Sequence, residues 1–138
     1  WMKEEWGYRL TDSFGPYTLN EILKLLDKLV HHLETGIKSM KESLDLSEPK
    51  QSAVMHNALG IWHSFRSCRN IFRAWKHRGS QKALEPIYQD EIEHLRELLV
   101  YFDKIPHYGF HAECQEQFFV SSDVSGKIKG LSDFLQPD

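Results

Sequence analysis

Cysteine is scarce in this chain of 138 residues: Cys68 and Cys114 are the only two, too few for a disulfide framework. Both are expected as reduced thiols, Cys68 because it falls in a helical apolar pattern where buried free cysteine is common. The alternative is one bridge between the second helix and the late loop, which would imply an oxidising compartment. No apolar run approaches the roughly 20 residues that span a bilayer, and no signal-peptide pattern is present. The expectation is a soluble protein with no membrane partner, and the cytoplasm is favoured without being fixed. A formal net charge of -3 is too small to draw the chain to nucleic acid, which is disfavoured as a partner. Also missing are a Gly-rich phosphate loop, Cys-x-x-Cys, Gly-x-Ser-x-Gly and internal repeats, and there is almost no β-type alternation. No cofactor is expected.

What remains is ordinary globular material, 41% hydrophobic and 27% charged, with an aromatic share of 12% to fill a core. One helical domain over residues 1–138 is the expectation. The opening Trp1-Met2-Lys3 fits an initiator Met2 behind a short scar, or excision from a longer chain.

Recurrence at three and four residues marks helices. Thr18-Leu19-Asn20-Glu21 has capping-box form, and Ile22, Leu23, Leu26, Leu29, Val30, Leu33 and Ile37 follow it as one apolar stripe. The first helix is expected over about 19–44, stopped by Ser47-Glu48-Pro49. A second stripe, Met55, Ala58, Ile61, Trp62, Phe65, Cys68, Phe72 and Trp75, predicts a helix over about 53–78 with Ser52 as cap. Proline suits a first turn, so Pro86 predicts a third helix over about 85–102, preceded at most by a short turn at 81–84. Residues 103–122 carry Pro106, Gly109 and rings without helical period, which predicts a long, aromatic-rich loop. Val124, Ile128, Leu131 and Leu135 then mark a last helix over about 123–135. Four amphipathic stripes point to an all-α bundle.

Three constellations could carry chemistry. Glu91 and His94 form a Glu-x-x-His pair on adjacent turns, an arrangement that di-iron bundles use twice. Here it occurs once, so a hydrogen-bonded polar pair at a helix interface is preferred to a metal site. His56, His63, Asn70 and His77 recur every seven residues, with rungs about 10 Å apart at the helical rise. That is too far for one metal, and a polar seam against another helix is the better reading. The charged residues from Lys50 to Lys82 are all basic, whereas the charged residues within 85–116 are mostly acidic. Arg66, Arg69, Arg73 and Lys76 form one stripe that either pairs with the third helix or meets an outside anion; internal pairing is favoured.

Glu91 through Leu99, then Asp103 through Gly109-Phe110-His111-Ala112-Glu113, together with Phe65 through Ile71, Arg78 and the closing Lys127-Ile128 to Leu135, form a further pattern. Over about residues 55–135 it resembles the helical region that follows the catalytic barrel in large bacterial glycoside hydrolases, α-glucuronidase-like proteins included. The usual Asp-x-Arg-x-Gly lead-in is here Asp103-Lys104-Ile105-Pro106-His107-Tyr108-Gly109, a departure from that pattern. The resemblance implies a non-catalytic helical module of a bacterial carbohydrate-processing protein. Its partners would be a catalytic barrel of the same polypeptide or a carbohydrate, with the catalytic carboxylates on the barrel. Phe110, His111 and Glu113 would then pin the last helix or rim the partner's cleft. By itself the chain is not expected to be an enzyme. The alternatives are a stand-alone helical binding protein whose Arg66, Arg69 and Arg73 meet an acidic partner, and a metal-binding bundle built on Glu91 and His94.

Overall fold

The computed structural model describes residues 17–102 and 121–136, with backbone only at 101, 102 and 121. Helices α1 (Leu19–Ser43), α2 (Pro49–Lys76), α3 (Gln81–Phe102) and α4 (Ser121–Leu135) make up an all-α fold. There is no strand among the described residues. No helix among them is long and apolar enough to cross a membrane. The aromatic-rich loop, with Phe110, His111, Glu113 and Cys114, lies outside the described residues.

The capping box that opens α1 is formed. Thr18 Oγ1 accepts from the Glu21 backbone N–H at 3.3 Å, and Glu21 Oε2 accepts from the Thr18 N–H at 2.8 Å. At the other end the Leu44 N–H closes on Met40 O at 2.9 Å. The segment expected to stop α1 also starts α2, four residues earlier than the predicted Ser52 cap. Glu48 accepts from the Gln51 N–H at 2.8 Å as the N-cap. Pro49 takes the first helical position, where its fixed φ fits and its missing N–H costs nothing.

α3 likewise begins at Gln81 rather than near Pro86, and the proline sits inside it. Ser80 O accepts from the Ala83 and Leu84 N–H groups, and Leu84 is buried, so the first turn is anchored at both ends. Pro86 comes early enough to forfeit only one ladder bond.

Apolar contacts set the pairing. Ile22 and Leu23 pack on Phe72 at one end of the α1–α2 pair, while Ile37 packs on Met55 and Leu59 at the other, so the two run antiparallel. Leu95 and Leu98 meet Val124 between α3 and α4. The Tyr88 ring meets the Phe134 ring edge-on, with centroids 5.0 Å apart, and this makes α3 and α4 antiparallel too. The chain therefore winds up and down, each helix packing on its neighbour in sequence.

The buried face of α2 differs from the predicted stripe. Met55, Leu59, His63, Asn70, Phe72 and Ala74 are buried, whereas Ile61 and Phe65 are more than a third exposed. α2 is flanked by α1 on one side and α3 on the other, so its buried arc takes in polar positions and leaves out apolar ones. Leu59→Ala should lower unfolding free energy by about 2–5 kcal/mol through the lost transfer energy and the cavity. Leu25→Ala, at an exposed position of α1, should change it by less than about 0.5 kcal/mol. Urea denaturation of the two variants checks both.

Candidate functional site

The α2–α3 seam is polar. His63, Ser67 and Asn70 stand at steps of four and three along α2, one helical face, opposite Asp90, Glu91 and His94 on α3. At its centre Glu91 is buried, with 2% of its side chain exposed, and it is satisfied on both oxygens. Oε2 accepts from His94 Nε2 at 2.7 Å and from Asn70 Nδ2 at 2.9 Å. Oε1 accepts in short contacts from Ser67 Oγ and from Lys127 Nζ, and Lys127 reaches in from α4. The same ammonium donates to Ser67 Oγ at 2.9 Å. Burial by itself would raise the Glu91 pKa, but the His94 hydrogen bond and the Lys127 charge outweigh it and hold the carboxyl well below the usual range.

His94 is fully buried. Its Nδ1 faces His63 Nδ1 at 3.3 Å, and the rings stack with an interplanar angle of 16°. Two facing imidazole nitrogens can share one proton, not two. Burial, followed by the nearby His94 and Arg66, pushes the His63 pKa down to about 3.

Asp90, one residue before Glu91, gathers the neighbouring cations. Arg66 Nη2 lies 2.5 Å from Oδ1, and Arg69 Nη2 lies 3.3 Å from Oδ2. Asn70 Nδ2 donates to Oδ2 at 2.7 Å. Burial raises the Asp90 pKa, but the Arg66 and Asn70 hydrogen bonds and the two guanidinium charges bring it below the usual range. Arg66 also lies over the Trp62 ring, 5.2 Å from its centroid.

The structure thus divides the predicted basic stripe. Arg66 and Arg69 turn to α3, while Arg73 turns back to Asp27 on α1 at 2.6 Å, with both partners more than a third exposed. The seven-residue ladder divides as well: His63 and Asn70 are in the seam, His56 is half-buried and His77 is exposed. Glu91 and His94 come together as a hydrogen-bonded pair. Where a di-iron arrangement would bring further carboxylates, Glu91 meets the Lys127 ammonium and the Asn70 amide. Among the described residues no group of three His, Cys, Asp or Glu side chains could hold a metal ion. Cys68 is a half-buried free thiol whose pKa burial raises, the reverse of an activated nucleophile.

Sequence reasoning missed Lys127, Ser67 and Asp27. Only Ser67 had a usable signal, four residues from His63 and three from Asn70 on the same face.

Two outcomes follow from this geometry. Lys127→Met leaves a buried carboxylate short of its counter-charge and should cost on the order of 3 kcal/mol of stability. Adding Glu91→Gln to it should recover part of that loss, which a double-mutant cycle in urea measures. Acid should also weaken the fold from an unusually high pH. The folded state refuses a proton on His63 down to about pH 3, whereas the unfolded histidine accepts it near pH 6.5. Stability is therefore complete above pH 6.5 and falls below it, by roughly 2 kcal/mol at pH 5. Glu91, with its lowered pKa, adds to the loss only below the ordinary carboxylate range. His63→Gln should flatten the fall in urea midpoint between pH 7 and pH 5.

Compared with protein-family models, with curated proteins and with solved structures, the chain matches none.

Proposed function

We propose that this chain is a non-catalytic helical module that packs within a larger carbohydrate-processing protein. The observation that supports it best is the Glu91 carboxylate. It is the most deeply buried acid among the described residues, and it has a histidine, a serine and a lysine around it. All of those neighbours donate to it, its charge is held, and it is closed to solvent. A general acid must be able to give up a proton to a substrate atom within reach, and a general base must have a lone pair free to take one. Glu91 has neither freedom. Its role on this reading is to lock α2, α3 and α4 together.

Two further features fit a packing role. Arg66, Arg69 and Arg73 are engaged by Asp90 and Asp27, which leaves much of the basic stripe neutralised within the module. On α2, Val54, Ile61 and Phe65 lie at steps of seven and four and are each more than a third exposed, a row of apolar side chains on the outer side of the helix. The resemblance over residues 55–135 suggests a catalytic barrel as the body against which such a module would rest.

The gene and an activity assay test the reading together. The open reading frame is expected to encode a (β/α)8 barrel of roughly 300 residues before this region. The purified chain is expected to release no phenol from aryl glycosides, glucuronides included. A reading frame with no barrel overturns the assignment to carbohydrate processing. Turnover by the chain alone, abolished by Glu91→Gln at a pH where that variant is folded, overturns the non-catalytic role.

A further inference from the structure

Away from the polar seam, a cleft of about 590 Å³ opens where the first turns of α1, the last turn of α2 and the start of α3 converge. That volume lies in the range of small-molecule sites. Leu23, Ala83 and Ile87 supply apolar surface; Leu23 is anchored in the α1–α2 core, and Ala83 and Ile87 are half-buried on α3. Lys24, Arg73, Lys76 and His77 supply the polar side. Among the described residues that line it the sole carboxylate is Asp27, and Arg73 already engages it at 2.6 Å. The chain as a whole is net negative, yet three permanent cations face one acid here. The local sign is reversed.

The helix ends matter as well. The C-terminus of α2 would repel an anion through its free carbonyls. Three of those carbonyls have donors, which weakens the repulsion without removing it: the His77 N–H bonds Arg73 O and Ala74 O, and the Arg78 side chain donates to Trp75 O at 3.0 Å. The N-terminal turns of α1 and α3, the positive ends of those helices, border the same opening.

From the combination of an apolar wall, two lysines on different helices and a spent acid, we infer that this cleft binds a small organic oxyanion. The ligand is a phosphate monoester or carboxylate on a small apolar body. The body lies against Leu23, Ala83 and Ile87, and the charged head faces Lys24 on α1 and Lys76 on α2. This site is separate from the Glu91 cluster, and it stands whether or not the chain belongs to a carbohydrate-processing protein. A polyanion such as RNA is the poorer fit. The rest of the basic stripe, Arg66 and Arg69, is turned inward to Asp90 and offers no continuing track for a phosphate chain.

Titrating the full chain with phenyl phosphate, benzoate and inorganic phosphate, followed by amide chemical shifts, tests it. Phenyl phosphate is expected to give saturable shifts at Leu23, Ala83 and Ile87, and inorganic phosphate to bind more weakly for want of a body. Benzoate against phenyl phosphate identifies the preferred head group. Lys24→Gln and Lys76→Gln, both at exposed positions that leave the fold intact, should each weaken binding about three- to tenfold. Lys50→Gln, at the far end of α2, should leave it unchanged. Ala83→Leu should crowd the apolar wall of the cleft and weaken binding while the circular dichroism stays helical. The inference is overturned if no probe saturates, if the affinities ignore Lys24 and Lys76, or if only a polyanion such as heparin is retained.

Discussion

A carboxylate taken out of water loses solvation worth several kcal/mol unless other donors replace it, and in this fold Glu91 is such a group. Its replacements come from three helices: Ser67 and Asn70 on α2, His94 on α3 and Lys127 on α4. No pair of helices can slide or turn relative to the third without leaving a charge or an amide unsatisfied in the interior. The donors also hold one another, since Lys127 reaches Ser67 as well and Asn70 spans both Glu91 and Asp90. Networks of this kind stabilise little compared with an apolar core, but they penalise alternatives heavily. Register between α2 and α3 is where that penalty acts.

The α1–α2 pair is built differently. Two apolar clusters, around Phe72 at one end and around Met55 and Leu59 at the other, hold it with non-directional contacts. Such contacts set the face and the approximate depth of packing and leave fine register to the ends. There the Arg73–Asp27 pair closes one end on the surface. α4 combines both modes, since Val124 and Ile128 pack on α3 while Lys127, between them, carries the charge inward.

Among the described residues, the groups gathered between α2 and α3 are thereby turned inward and used up on one another. Glu91, His94, His63, Asp90, Arg66 and Arg69 all belong to the seam. What α2 leaves outside is an apolar row through Ile61 and Phe65 together with the basic last turn at Arg73 and Lys76. Surfaces of that kind suit docking and binding.

The sequence by itself determined the helices, because apolar recurrence, the Thr18–Glu21 box and the punctuation at Pro49 are local signals that need no partner. It also indicated that Glu91, His94, His63 and Asn70 face another helix, since polar side chains at core spacing have few other places to go. Two starts were misplaced, at Ser52 and Pro86, because Glu48 can cap as well as a serine and a buried Leu84 can hold the turn ahead of a proline. The basic α2 followed by an acidic α3 pointed to the pairing of Arg66 and Arg69 with Asp90, whereas the other partners were settled only in three dimensions. Lys127 lies sixty residues from Ser67, and nothing local in the sequence marks it out from the other exposed-looking lysines. Likewise the split of the arginine stripe between Asp90 and Asp27 depends on α2 sitting between α1 and α3, an arrangement that helical spacing alone does not encode.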